Sequence, residues 1–173
     1  MSDTPPPSDP PSAPPSGKRW HTREDSGIRL DAVLRWWHDD EPISHPRIIE
    51  LFNSSLHLDD TGRYQLQIGQ DWCYVQVEGA AYEVRTVDVS ADERVSVRLS
   101  DRTAESLEPA SLALGADGVL ECQVKGGRAR ARFSRDAQYQ LGELLEADAA
   151  GRLVLRAGER LLPLPEALVL PGV

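Results

Sequence analysis

The sequence predicts an α+β fold of two similar strand-rich lobes, each with one helix, arranged as an internal duplication. Three observations carry that expectation. Tyr64–Ile68 and Arg128–Phe133 alternate apolar and polar residues at period two, the spacing of a strand with one buried face. Two other segments repeat apolar residues at three and four, as a helix face does: Ile48, Ile49, Leu51, Phe52 and Leu56, then Ala137, Leu141, Leu144 and Leu145. A glycine-bounded strand follows each helical segment: Gly62–Gly69 reads GRYQLQIG and Gly151–Gly158 reads GRLVLRAG, with Gly, Arg, Leu and Gly matching in place.

Residues 1–16 (MSDTPPPSDPPSAPPS) hold too little apolar surface to offset the entropy of ordering, so residues 1–24 read as a disordered tail. The same tail could serve as a polyproline ligand for an SH3-like groove. Folded structure is expected from about Ile28, with Trp36-Trp37-His38 a strand that runs into a turn at Asp39-Asp40-Glu41-Pro42. Period two sends Trp36 and Trp37 to opposite faces, one of them buried. Ser44 is the expected N-cap of the first helix, with Pro46 in its first turn, where a missing N–H costs nothing. Asp59-Asp60-Thr61-Gly62 closes that helix, and His57 near its end suits the negative pole of the helix dipole. Strands are expected at Tyr64–Ile68, Trp72–Val77, Tyr82–Val89 and Arg94–Leu99. Gly115-Ala116-Asp117-Gly118 then turns a hairpin between Leu112–Leu114 and Val119–Val124. Lys125-Gly126-Gly127 leads into Arg128–Phe133, Ser134 starts the second helix, and strands Leu153–Leu155 and Arg160–Leu162 follow. Leu168, Val169 and Leu170 are expected to dock on the second lobe. The helix caps lie 90 residues apart and the glycine-bounded strands 89, a difference assigned to loop length. The organisation is a tail (1–24), an N-terminal lobe (25–99) and a C-terminal lobe (100–173).

The chain has 173 residues, is 40% hydrophobic and carries a formal net charge of −9, with an isoelectric point near 4.9. That balance argues against nucleic acid as a partner, which demands clustered Lys and Arg against phosphates. No apolar run approaches the ~18–20 residues of a membrane span. The polar N-terminus lacks the apolar stretch of a secretory leader, so a cytoplasmic location is expected. In a reducing compartment Cys73 and Cys122 read as two free, buried thiols.

The stretch from Trp37 to Gly69 (WHDDEPISHPRIIELFNSSLHLDDTGRYQLQIG) resembles the start of the bacterial domain-of-unknown-function family numbered 1285. The resemblance rests on Trp36 or Trp37, His38, Pro42, Ile43, Leu51, Phe52, Asp60, Gly62 and Tyr64. Gly118–Lys125, Ala131–Tyr139 and Leu155 to Leu164 are similar to the family's C-terminal lobe, so the likeness covers about residues 28–164. It implies a duplicated α+β architecture, a C-terminal lobe superficially like a pleckstrin-homology barrel, a nucleotide-like ligand between the lobes and a role in signal transduction. It implies no enzyme activity. The chain departs from the pattern at Val77-Glu78-Gly79-Ala80-Ala81-Tyr82, where the family usually has an Asp-Ala-Pro turn; this puts any ligand contact from that turn in doubt.

Arg128, Arg130 and Arg132 share one strand face at ~6.6–7 Å spacing, able to hold a phosphate or carboxylate through paired N–H groups. The same stripe also reads as a solvated face paired to acids such as Glu121. Trp37, Trp72 and Tyr82 are the candidate stacking or apolar walls, although Trp37 and Trp72 equally suit packing. His38, Asp39, Asp40 and His45 cluster at the mouth of the first helix. His38 with Asp40 and His45 could ligate a metal or act as a base, but their spacing matches no metal-ligand motif and a turn rich in Asp and Pro explains the same residues. No nucleophile elbow or phosphate loop occurs. The expectation is therefore a non-enzymatic ligand-binding or regulatory module without cofactor or metal, taking a small anionic ligand between its lobes. A protein–protein adaptor without a small ligand is the alternative.

Overall fold

Ala129, Ala131 and Phe133 are buried while Arg130 is exposed and Arg132 half-buried, so this run sends small and aromatic side chains inward and guanidinium groups outward. A computed structural model describes residues 21–166 and residue 168. In chain order they form β1 (Ile28–Leu30), β2 (Trp36–His38), β3 (Glu41–Pro42), α1 (Pro46–Ser55), β4 (Leu56–Leu58), β5 (Tyr64–Ile68) and β6 (Asp71–Tyr74). Next come β7 (Gln76–Val77), β8 (Tyr82–Val89), β9 (Val95–Leu99), β10 (Ala104–Ser106), a 3-10 turn (Pro109–Ser111), β11 (Ala113–Leu114), β12 (Leu120–Val124) and β13 (Ala129–Phe133). The described chain closes with α2 (Arg135–Gly142), β14 (Leu145–Ala147), β15 (Leu153–Ala157) and β16 (Arg160–Pro163). The fold is α+β and strand-rich, as the sequence predicts.

A six-stranded sheet, ordered β10-β9-β8-β13-β12-β11, takes strands from both sides of the expected 99/100 boundary. Its neighbours are antiparallel except β8 and β13, whose parallel register sets Tyr82 opposite Ala131 and Val84 opposite Phe133. A second sheet, β3-β2-β1-β7, has one parallel pair, β1 with β7. One continuous apolar core joins Leu30, Trp36, Leu66, Tyr82, Val84, Leu99, Phe133, Leu141 and Leu155.

Each helix runs directly into a three-stranded antiparallel meander, α1 into β4-β5-β6 and α2 into β14-β15-β16. Corresponding elements begin 89 residues apart (Pro46 and Arg135, Leu56 and Leu145, Tyr64 and Leu153, Asp71 and Arg160). The first turn of each meander repeats atom for atom. Asp59 Oδ1 accepts from the N–H of Thr61 and Arg63; Asp148 Oδ1 accepts from the N–H of Ala150 and Arg152. Gly62 and Gly151 follow at φ 84° and 77°, a region that strains any residue with a Cβ.

Several expected boundaries move for identifiable reasons. The N-cap of α1 is His45, not Ser44: its Nδ1 accepts from the Arg47 N–H, with Pro46 as the first helical residue. Ser134 caps α2 through the Ala137 N–H, as expected. With His45 as the cap the 89-residue spacing holds throughout, and the loop-length difference disappears. Helical spacing continues through Leu56 and Leu145, yet both enter strands, paired with Leu66 and Leu155 in place of a further helical turn, Leu56 buried and Leu145 half-buried. His57 accordingly lies in β4 opposite Gln65, not at a helix end. Trp72–Val77 divides at Val75, because β6 pairs with β5 while β7 turns to pair with β1.

α1 buries no residue completely. Its contact with the core runs through Phe52 and Ile49, and Trp36 rises from β2 to meet it. The Trp36 ring stands edge-on to Phe52 (5.2 Å, 77°), and its Nε1–H donates to Asn53 Oδ1 at 2.8 Å. Of the tryptophan pair, Trp36 is the buried member. At the C-terminus Leu168 is buried, while Val169 and Leu170 lie outside the described residues, as does the tail up to residue 20. Residues 22–24 are exposed yet tied to the fold: the Arg23 carbonyl accepts from the Tyr74 N–H at 2.8 Å and Glu24 pairs with Arg63. Among the described residues, no helix is long and apolar enough to cross a membrane.

Candidate functional site

The arginine stripe splits in two. Arg130 Nη1 donates to Glu121 Oε2 at 3.1 Å, the cross-strand pairing that a solvated face predicts. Arg132 Nη2 lies 2.6 Å from Asp117 Oδ2, and the guanidinium holds that carboxyl below its ordinary range. Arg128 precedes the strand, in the Lys125–Arg128 turn, and reaches away from both acids. Its Nη2 donates at 2.6 Å to the backbone carbonyl of Asp59, in the turn between β4 and β5. Among the described residues Arg128 makes no ion pair.

The turn that receives Arg128 is rigid. Asp59 also accepts from Thr61 Oγ1 and from the Tyr74 hydroxyl, and these bonds, that of Thr61 first, hold its carboxyl down at about 2. Arg63 lies over the Tyr74 ring, 3.2 Å from its centroid, and pairs with Glu24 at 2.9 Å. Burial raises the Tyr64 phenol, and the nearby Arg130 charge works the other way. The Arg128 end of the stripe therefore faces the first meander, across the seam between that meander and the six-stranded sheet.

The three aromatic candidates fall in three different sheets. Trp37 sits on β2, donating Nε1–H to Asp31 Oδ2 (3.0 Å), with Arg29 and Arg35 over its ring. Trp72 sits on β6, edge-on to Tyr74 at 5.4 Å, with Arg23 over its face. Tyr82 is 1% exposed and belongs to the core, so it is corrected from a ligand wall to a packing residue; burial drives its phenol far above its ordinary value. Lys125 lies 5.0 Å from the Tyr82 ring centroid, held by Asp101 and Glu105 at 2.7 and 2.9 Å.

His38, Asp40 and His45 are not brought together as a metal-ligand group among the described residues. His45 is committed to capping α1, whereas His38 and Asp39 meet His21, which sequence spacing assigns to the tail. Sequence reasoning also misses a cavity of about 370 Å³ between α1 and β8, lined by Leu34, Ile49, Glu50, Asn53, Glu83 and Arg85. There Glu50 accepts two hydrogen bonds from Arg85 (2.8 and 3.3 Å) and pairs with Arg102 at 3.3 Å, and these cations lower its carboxyl. Glu50 and Arg85 are 35 residues apart and only the fold joins them. Cys73 and Cys122 are free, and burial, aided by Glu105 and Glu121, pushes the Cys122 thiol up to about 12.

No protein-family model and no curated protein matches the sequence. Among solved structures, the chain is similar to a DUF1285 family protein from Silicibacter pomeroyi at 21% identity and a TM-score of 0.56, over 80% of this chain and 79% of that one. Its fold is similar to the DUF1285 fold. A DUF1285 family protein from Shewanella baltica also matches, at 20% identity and a TM-score of 0.49, over 68% of this chain and 91% of that one. The resemblance read from the Trp37–Gly69 stretch is matched in three dimensions by the Silicibacter pomeroyi structure. In this DUF1285-like fold the seam bridged by Arg128 lies between a helix–meander unit and the central sheet.

Proposed function

We propose that the protein is a non-enzymatic binding or regulatory module that takes a small anionic, nucleotide-like ligand at the seam between the first meander and the β12–β13 turn. The supporting observation is Arg128: an exposed guanidinium spanning two structural units, held by a neutral carbonyl and opposed by no carboxylate among the described residues. An anion there would gain a charge-assisted hydrogen bond without first breaking an ion pair. Arg130 acts on the Tyr64 phenol but is paired with Glu121, and Arg132, closed by Asp117, contributes to the hairpin, so Arg128 carries the site. The repeated helix–meander unit fits an internal duplication, and the seam between its first copy and the central sheet serves as the binding groove.

The test is thermal unfolding with inorganic phosphate, pyrophosphate and nucleoside phosphates at two salt concentrations. A ligand at 100 times its dissociation constant stabilises by about 2.7 kcal/mol, a shift of roughly 5–10 °C for this size. The expected shift shrinks with salt and is lost in Arg128→Glu. A flat panel, or a shift that Arg128→Glu retains, refutes the site.

One observation favours a protein adaptor instead. α1 leaves Ile48 and Leu51, one turn apart, more than 40% exposed, an apolar surface that a partner could cover. That reading predicts a partner whose retention is lost in Leu51→Arg and unchanged in Arg128→Glu.

A further inference from the structure

His21, His38 and Asp39 belong to two separate stretches of chain that the fold ties together. His38 and Asp39 stand at the turn between β2 and β3, and the Asp39 N–H donates to the Gly27 carbonyl at 2.7 Å. Two residues beyond His21, the Arg23 carbonyl receives the Tyr74 N–H, and the Arg23 guanidinium lies 5.1 Å from the Trp72 ring. The entering segment is therefore anchored to β6 just where it passes the turn. His21 Nε2 is 3.1 Å from Asp39 Oδ2, and the His21 and His38 rings lie 4.8 Å apart at 48°. One donor atom from each of the three residues lies within 4.8 Å of the other two. Gly27, at φ +69°, permits the approach: a Cβ there would stand 2.5 Å from Asp39 Oδ1 and 2.6 Å from His21 Cε1. The His21 Nδ1 is buried with no hydrogen-bond partner, so no backbone group claims this ring.

We infer that His21, His38 and Asp39 form a binding site for a divalent transition-metal ion of the zinc type, with water completing its shell. Two imidazoles and a carboxylate suit such an ion, and ligand bonds of about 2.0–2.2 Å place neighbouring donors of a tetrahedral site roughly 3.3 Å apart. His21 and Asp39 already stand at that spacing. His38 is exposed, and a donor atom of its ring already lies within 4.8 Å of theirs. The site lies beside the β3-β2-β1-β7 sheet, apart from the Arg128 seam, so the two assignments stand or fall separately. Bound metal would clamp the entering segment to the β2–β3 turn and add to stability by mass action.

The experiment titrates Zn²⁺ into the tag-free full chain after chelator treatment, by calorimetry, with Co²⁺ absorption reporting the coordination geometry. One saturable equivalent is expected. Affinity should fall about tenfold or more in His21→Ala, His38→Ala and Asp39→Asn, and remain unchanged in His45→Ala and His57→Ala. Melting in chelator checks that each variant folds, and His21→Gln replaces His21→Ala if the latter melts early. Absence of saturable binding by the wild-type chain overturns the site. So does an equivalent that survives both His21 and His38 substitutions, or one lost in His45→Ala.

Discussion

The docking of α1 is the sharpest test of how this fold is held, because the helix contributes no fully buried side chain and leans on Trp36. Trp36→Phe keeps an aromatic ring in the core but removes the Nε1–H bond to Asn53 and the second ring of the indole. Loss of the bond costs about 1 kcal/mol, since Asn53 is only half-buried and water can reach its amide. The space left by the indole adds about 1–2 kcal/mol. The sum, about 2–3 kcal/mol, lowers the melting temperature by roughly 5–10 °C in a chain of this length. Urea unfolding followed by circular dichroism measures it. A cycle with Asn53→Ala should return a coupling of about 1 kcal/mol between the two side chains. If Trp36→Phe costs under about 0.5 kcal/mol, or the coupling vanishes, then Trp36 does not anchor α1 and the reasoning fails.

Leu66 and Leu155 occupy the same place in the two meanders, 2% and 0% exposed; each →Ala substitution should cost about 2–5 kcal/mol in urea unfolding, whereas Tyr139→Ala, at an exposed position, should stay within about 0.5. Asp31 is buried, which opposes its ionisation, but hydrogen bonds from the Arg35 N–H, Trp37 Nε1, the Arg35 side chain and the Val33 N–H outweigh burial and hold it below its ordinary 3.8. A depressed carboxyl stabilises the fold above its unfolded value and loses that contribution as pH falls through the folded one. Stability should therefore drop as pH falls below about 4, and Asp31→Asn should flatten that slope in unfolding curves taken from pH 7 to pH 2. Iodoacetamide at pH 8 should modify Cys73 in the native protein and reach Cys122 only after unfolding, as peptide mass spectrometry can count.

Local chemistry was legible where it decided the structure. The alternation at Tyr64–Ile68 and Arg128–Phe133, the Ser134 cap and the Asp59-Asp60-Thr61-Gly62 turn are all satisfied by residues within a few positions. The misplaced elements are those where a neighbour in space overrides local period. Leu56 and Leu145 continue a helical stripe yet pair as strands, because Leu66 and Leu155 lie opposite them. The parallel pairings of β1 with β7 and β8 with β13 have no local signal. The site was half legible for the same reason. Period two set Arg130 and Arg132 on one face, but which acids would close them, and that Arg128 would cross to Asp59, 69 residues away, depended on the fold. His21 looked like tail because its partners lie 17 and 18 residues further on.

The parallel pairing of β8 with β13 also bears on how this chain can be divided. A cut between Leu99 and Ser100 would leave each half with a long strand missing its partner: Tyr82 and Val84 on one fragment, Ala131 and Phe133 on the other. Exposed apolar edges of that kind template aggregation. Either fragment made alone should therefore collect as insoluble material. Produced together, the halves should reassociate through the two pairings that cross the cut, β8 with β13 and β9 with β10, into a soluble non-covalent heterodimer. The chain would then serve as a split protein whose complementation reports directly on its central sheet.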